Sequence, residues 1–349
     1  MSLRVEALET LGQARALARC VYETCGLTHH RRWLYEPSQA LAYNQAGYVT
    51  SFLAMEGDRC VGHLAAIRPF FEFDSYAPPT AEPIYREVGL AMVVESHKDS
   101  EALALLTSSL YAWAIEAGYE ALVNRMHAHD ARLQRLERAM GGVPTAVMLG
   151  SVPRAVGGRM EGRALSTLAS WVPLRVGAPR EVFVPRVDRD LYAAVYDALG
   201  EEREVVDPPN LPTIGPSTEL RVHFDPNRQV GRVHVLEPGP DLARRVVEQV
   251  QWMLGGNIHH VAVYSPMTSP FTAQAVTELK GHGLAFSGLM PGMDGHDLLV
   301  LQGLRALDLR EESIEVLDPL AHRLLERALA DWYQVRDLAR PPTWVEEAI

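Results

Sequence analysis

EVGLAMVV, residues 87–94, is a short apolar run, and HKDSEALALLTSSLYAWAIEAG, residues 97–118, follows after Glu95-Ser96. The first predicts a buried strand. The second predicts a helix over 101–117 with Leu103, Leu106, Leu110, Trp113 and Ala117 on one face and Gly118 just past its end. A buried strand feeding a long apolar helix is a unit of layered sheet-and-helix domains. Upstream, Val49–Met55 and Cys60–Ile67 flank Glu56-Gly57-Asp58-Arg59 and predict an antiparallel hairpin. Before that, Leu8, Leu11, Leu17, Val21 and Cys25 recur at helical spacing up to Gly26. Residues 68–85, with Phe70, Phe71, Phe73, Pro78, Pro79 and Pro83, read as a loop or edge strand. Downstream come a strand at Ala121–Met126, a helix over 130–140 with Leu133, Leu136 and Met140 on its apolar face, the stop Gly141-Gly142, and a strand at Thr145–Leu149.

The order then recurs. Glu219–Phe224 and Gly231–Leu236 bracket the turn Asp225-Pro226-Asn227-Arg228, followed by a helix over 241–254 and a strand at Ile258–Tyr264. A helix over 270–280, strands at 284–290 and 298–304, and a closing helix over 318–338 complete the chain. Ala121 to Gly141 and Val261 to Gly281 both span 20 positions, although the residues themselves hardly match. Matched order and spacing predict two related domains, over 1–150 and 181–349. A linker over 151–180 joins them, marked by Pro153, Gly157 and Gly158, and a helix over 189–199 and a Pro-rich loop over 201–217 open the second domain. The fold class is α/β (α+β), each domain a mixed, mostly antiparallel sheet flanked by helices.

Composition narrows the function. The chain has 349 residues, 47% hydrophobic and 22% charged, which suits about two packed domains. A net charge of -11 disfavours nucleic acid and anionic membrane as partners. An odd count of three cysteines without CxxC, no apolar leader and no membrane-length apolar run lead us to expect a cytoplasmic protein.

The first copy, over roughly 5–150, resembles the GCN5-related N-acetyltransferase (GNAT) family in its helix, hairpin, central strand EVGLAMVV, long helix, strand, helix and glycine. The second, over roughly 180–305, resembles a shortened version, with GLAFSGLMPGMDGHDLLVLQGL as its closing hairpin. The resemblance implies two tandem acetyltransferase-like domains. It implies acetyl-CoA or another acyl-CoA as co-substrate, no metal, and a small-molecule or peptide amine as acceptor. Pantetheine would lie along the central strand at Met92, Val93 and Val94, and pyrophosphate on backbone donors at Ser100, Glu101 and Ala102. The family's Arg/Gln-x-x-Gly-x-Gly/Ala pattern is degraded here: in His97-Lys98-Asp99-Ser100-Glu101-Ala102 only Ala102 fits. Asp99 and Glu101 add like charge beside the expected phosphates, and Asp99 or Ser100 capping the helix is the plain alternative. In the second copy, Glu237-Pro238-Gly239-Pro240-Asp241 has lost donors to two prolines.

Glu87 matches the family's carboxylate base, with Glu95 the second choice, and Glu137 stands where a tyrosine proton donor is usual. These readings favour an acyl-CoA-dependent N-acyltransferase, with a non-catalytic ligand-sensing or partner-binding protein as the alternative. The early aromatics Trp33, Tyr35, Tyr43 and Tyr48 would line the acceptor side or simply pack. His127-Ala128-His129-Asp130 lacks a third metal ligand at a recognisable spacing. The pairs His29-His30 and His259-His260 would diverge in regular structure, and Cys20 and Cys25 read as core. The closing helix offers a surface on the second sheet or for a homodimer.

Overall fold

The computed structural model describes residues 2–69, 84–152, 164–211, 215–226, 228–256, 258–292, 295–305, 309 and 314–336. The chain divides into two compact units: Met1–Arg125 with Pro173–Arg175, and Met126–Val172 with Val176–Ile349. The boundary falls after Arg125, within a strand, whereas the sequence suggested a first domain running to residue 150.

The first unit begins with β1 (Arg4–Ala7), α1 (Leu11–Cys25), α2 (Pro37–Gln45), β2 (Val49–Glu56) and β3 (Arg59–Ile67). β4 (Tyr85–Val93), α3 (Ala102–Glu116) and β5 (Ala121–His127) follow. α1 starts at a reciprocal cap: Thr10 Oγ1 accepts from Gln13 N at 3.2 Å and Gln13 Oε1 accepts from Thr10 N at 3.0 Å. It stops at Gly26, whose N–H donates to Tyr22 O. The strands lie in the order β1-β2-β3-β4-β5. β1/β2, β2/β3 and β3/β4 pair antiparallel and β4/β5 parallel. α1 and α3 both pack on β3. Leu17, Val21, Leu53, Leu106, Leu110 and Leu122 are fully enclosed, a core built from both layers.

The second unit holds α4 (Ala131–Ala139), β6 (Val143–Val152), β7 (Leu165–Pro173), β8 (Arg180–Phe183), α5 (Arg189–Leu199) and β9 (Arg203–Val206). Next come β10 (Glu219–Asp225), β11 (Val230–Glu237), α6 (Leu242–Gly255), β12 (His260–Pro266), α7 (Pro270–Gly281), β13 (Leu284–Met290), β14 (Leu298–Leu304) and α8 (Pro319–Val335). Its strands run β7-β6-β13-β14-β12-β11-β10, with β8-β9 as a separate parallel pair. The predicted linker is therefore not linker throughout. LSTLASWVP forms β7, almost wholly buried and antiparallel to β6; β8 begins at the linker's last residue, and β9 lies in the stretch read as a Pro-rich loop. Pro153, Gly157, Gly158 and Phe70 through Pro83 lie outside the described residues.

Pairing directions recur along the chain. β3/β4 and β10/β11 are antiparallel, β4/β5 and β11/β12 parallel, and β6/β7 and β13/β14 antiparallel. The edges of the two hairpins meet where Gly288 of β13 pairs Ala146 of β6. Gly288 has φ +149°, and a Cβ there would lie 2.1 Å from Thr145 O, so the approach requires glycine.

Candidate functional site

The central strand is where the first unit departs from regular sheet. β4 and β5 pair from Tyr85↔Ala121 to Val88↔Asn124. From Gly89 onward, among the described residues, no ladder pair joins β4 to β5. The middle of β4 is correspondingly open: Glu87 to Leu90 are half-buried and Ala91 is exposed. On its other side β4 carries a bulge. His63 pairs Met92 and Ala65 pairs Gly89, so two steps along β3 match three along β4. Leu90, in the bulge, has φ 59°, which costs a non-glycine residue roughly 1–2 kcal/mol.

His63 supports that bulge. Its Nδ1 lies 3.1 Å from Leu90 O; a carbonyl only accepts, so Nδ1 carries the proton and donates. The ring is fully buried, and burial pushes its pKa down to about 3, helped by the nearby His29 and Arg31. His63 is therefore neutral at pH 7. Its Nε2 is buried and makes no hydrogen bond among the described residues.

Glu87 stands on β4 where it is still paired with β5. Its Oε1 lies 3.3 Å from Arg125 Nη2 of β5, with both side chains under 20% exposed: 17% for Glu87 and 19% for Arg125. Behind it, Arg86 is buried, donates to Tyr119 OH at 2.6 Å and sits over that ring. Among the other strand residues singled out from sequence, Met92 is buried and Val93 packs toward Gly62. Val94 N donates to Val61 O at 2.9 Å. That N–H is spent within the sheet and cannot serve a ligand.

The start of α3 is uncapped by side chains at its N-cap residue, Glu101. The first helical bond runs from Leu105 N to Glu101 O at 2.9 Å, so the N–H groups of Leu103 and Ala104 precede the ladder. Ser100 Oγ accepts from Ala102 N at 3.2 Å and donates to His97 O at 2.6 Å. One donor of the expected phosphate cradle is thus partly engaged. Asp99 and Glu101 are exposed, and Lys98 lies 3.6 Å from Glu95. The residues present offer backbone donors for an anion but no cationic partner free of acids.

The loop of the second copy is closed by its own chain. Gly239 N donates to Thr218 Oγ1 at 3.0 Å, and Asp241 accepts from Thr218 N and Ser217 Oγ, both at 2.7 Å. These donors hold the Asp241 carboxyl well below its usual range, the Ser217 hydroxyl most of all. A Cβ on Gly239 would lie 2.2 Å from Pro216 O. β11 keeps a bulge at its end, with Leu236 the extra residue between Val235 and Glu237, but no left-handed residue marks it.

In the second unit, α4 does not bury the face that its sequence suggests. Leu133, Leu136 and Met140 are half-buried, while Gln134 and Glu137 are buried. Gln134 is satisfied by main chain: its Nε2 donates to Glu315 O at 2.8 Å and its Oε1 accepts from Leu317 N at 3.0 Å. Glu137 Oε1 accepts from Ser170 Oγ at 3.0 Å beside a cavity of about 100 Å³ lined by Arg135, Gly142 and Pro144 among others. Asp130 caps α4 through Arg132 N and Leu133 N. The early aromatics pack on one another, Trp33 on Tyr43 and Tyr43 on Tyr48, edge to face. His29 and His30 stack at 4.8 Å in a loop and do not diverge. His127 and His129 lie 5.5 Å apart, ring to ring; among the described residues no group of three His, Cys, Asp or Glu could hold a metal. His260 is buried and lies 3.4 Å from Gln302 Oε1. Cys20 and Cys60 are buried and Cys25 is half-buried. No described helix is long and apolar enough to cross a membrane.

About half of the chain is similar in fold to solved acetyltransferase structures. Similar solved structures include an N-acetyltransferase from Staphylococcus aureus, at 15% identity and TM-score 0.38, with 50% of this chain and 100% of that one covered. A ribosomal-protein-alanine N-acetyltransferase from Brucella melitensis matches at 18% identity and TM-score 0.38, over 50% of this chain and 99% of that one. A phosphinothricin acetyltransferase from Sinorhizobium meliloti, in complex with acetyl-CoA, matches at 15% identity and TM-score 0.38, over 50% and 89%. No family model and no curated relative matches the chain.

Sequence reasoning missed His63 and Arg125. The only signal was a polar residue interrupting an apolar strand, in RCVGHLAAI and ALVNRMH.

Proposed function

We propose that the first copy is an acyl-CoA-dependent N-acyltransferase acting on an amine. The observation that carries this reading is the edge of β4, unpaired toward β5 from Gly89 onward among the described residues and leading into a helix start whose N-cap residue, Glu101, makes no side-chain cap bond. An extended ligand bearing amides gains main-chain hydrogen bonds on such an edge. Its phosphates gain the unladdered N–H groups and the positive end of α3. Acetyl-CoA combines both in one molecule. The amine nitrogen attacks the thioester carbonyl, a C–N bond forms, the C–S bond breaks, and the thiolate takes up a proton as CoA leaves. Glu87 is the carboxylate that would accept the amine's proton, directly or through water.

A specific observation favours the second reading, a non-catalytic ligand-binding protein. Glu87 Oε1 lies 3.3 Å from Arg125 Nη2, an ion pair that an incoming amine would have to compete with. Calorimetric titration of the full chain with acetyl-CoA, beside Ala102→Glu, tests the donor site. Binding by the native chain and its loss in the variant support it; absence of heat up to millimolar acetyl-CoA overturns it. Thiol release with a panel of amines separates the two readings: a binder without turnover is the second, and an enzyme whose pH–rate profile is unmoved by Glu87→Gln excludes Glu87 as base.

A further inference from the structure

His63 is expensive where it stands. A fully buried imidazole with one ring nitrogen unsatisfied among the described residues carries a desolvation cost that an apolar side chain would not. Leu90 adds the cost of a left-handed backbone at the next strand. Two local penalties therefore meet at one point, joined by the hydrogen bond from His63 Nδ1 to Leu90 O. A regular strand with an apolar residue at position 63 would avoid both. Costs of this kind persist where the strained geometry itself is used.

The bulge changes what β4 can offer. The extra residue shifts the β4 peptide groups out of step with β3 between Gly89 and Met92. This is the segment that has no partner on β5. A bent strand with an extra residue presents its peptide groups away from the sheet ladder. The bond to Leu90 O fixes which way that peptide faces, because a carbonyl held by a buried donor cannot rotate toward solvent.

We infer that His63 is a positioning residue, whose Nδ1–H holds the β4 bulge at Leu90 in the form that receives the amides of an acyl-CoA. The inference rests on the proposed donor site. What matters is the donor at the δ position. Asparagine carries an N–H at nearly the place of Nδ1, whereas glutamine carries its amide one bond further out and leucine carries none. The three substitutions therefore separate a specific hydrogen bond from simple occupancy of the core.

The experiment is titration of the native chain, His63→Asn, His63→Gln and His63→Leu with acetyl-CoA. Hydrogen exchange of the unliganded proteins, read on peptides covering residues 85–97, accompanies it. The expected result is at least about tenfold weaker binding for the Gln and Leu variants, with faster exchange in that segment. His63→Asn should stay within a few-fold of the native chain on both readouts. Should His63→Leu fail to fold, the Asn and Gln pair carries the comparison. Equal binding by all variants, or equal loss by Asn and Gln, overturns the role of His63 and leaves the donor site standing. If the native chain itself does not bind acetyl-CoA, the donor site falls and the inference falls with it.

Discussion

His63 makes a quantitative claim about acid stability. Its pKa falls to about 3 in the folded chain because burial disfavours the imidazolium, with His29 and Arg31 adding like charge; the ordinary value is about 6.5. Between those values the unfolded chain binds a proton that the folded chain does not. Stability from this group is therefore fully present above about pH 6.5 and is lost as pH falls toward 3. Integrating from pH 7 to pH 5 gives a loss of about 2 kcal/mol. His63→Asn removes the titration and keeps the δ donor. Urea unfolding at pH 7, 6 and 5, followed by tryptophan fluorescence, isolates the effect as a difference between the two chains. Every other titrating group is common to both, so the curves should diverge by about 2 kcal/mol at pH 5, or roughly 1 M in urea midpoint. Native and variant chains losing stability in parallel would refute both the buried neutral imidazole and the bond to Leu90 built on it.

Three further outcomes follow from the same geometry. Arg327 bridges Asp188 and Asp331, which are only 1% and 2% exposed, with Lys280 Nζ 2.8 Å from Asp331. Arg327→Met leaves two buried carboxylates with one cation and should cost about 3–5 kcal/mol in chemical denaturation, partly recovered by adding Asp188→Asn. Gly239→Ala drives a methyl into Pro216 O and should lower stability by about 1–3 kcal/mol, read by calorimetry, without altering acetyl-CoA binding to the first copy. Glu101 is exposed at the start of α3; a pyrophosphate about 8 Å away in water-like dielectric feels about 0.5 kcal/mol per charge pair. Glu101→Gln should therefore tighten acetyl-CoA several-fold at low salt, with the gain shrinking as salt rises.

Most of the element order was legible because amphipathic period and glycine stops are local signals. Gly26, Gly118 and Gly200 each take positive φ just after a helix, and Arg189–Leu199 forms a helix over the span its pattern predicts. β7 was not legible, because LSTLASWVP is buried on both faces and lies beside a Pro- and Gly-marked stretch that drew the eye to a linker. α4 misled in the opposite way. Its leucines lie half-exposed while Gln134 and Glu137 are buried, since main chain from Glu315 to Leu317, distant in sequence, satisfies the glutamine. The candidate site was legible as a strand and a helix start. The bulge at Leu90, the bond from His63 and the pair Glu87–Arg125 were not, because each depends on register between strands that no local pattern encodes.

The two copies differ most where their carboxylates go. In the second, Asp241 turns to Ser217 and Thr218 and draws segment 216–218 over the start of α6. Its donors are used within the chain, and the carboxylate is part of the closure. In the first, Asp99 and Glu101 are as acidic in sequence but are exposed, and neither caps α3. An exposed charge is screened and can swing away, whereas a charge built into a loop cannot. The acidity that in sequence spoke against phosphate at α3 is thus a modest penalty in the folded chain. The prolines of the second loop, the hydrogen bonds of Asp241 to Ser217 and Thr218 and the lack of a left-handed bulge residue all point the other way. On the proposed reading, the open edge at β4 and α3 is where acetyl-CoA would bind, and the closed loop before α6 would not compete for it.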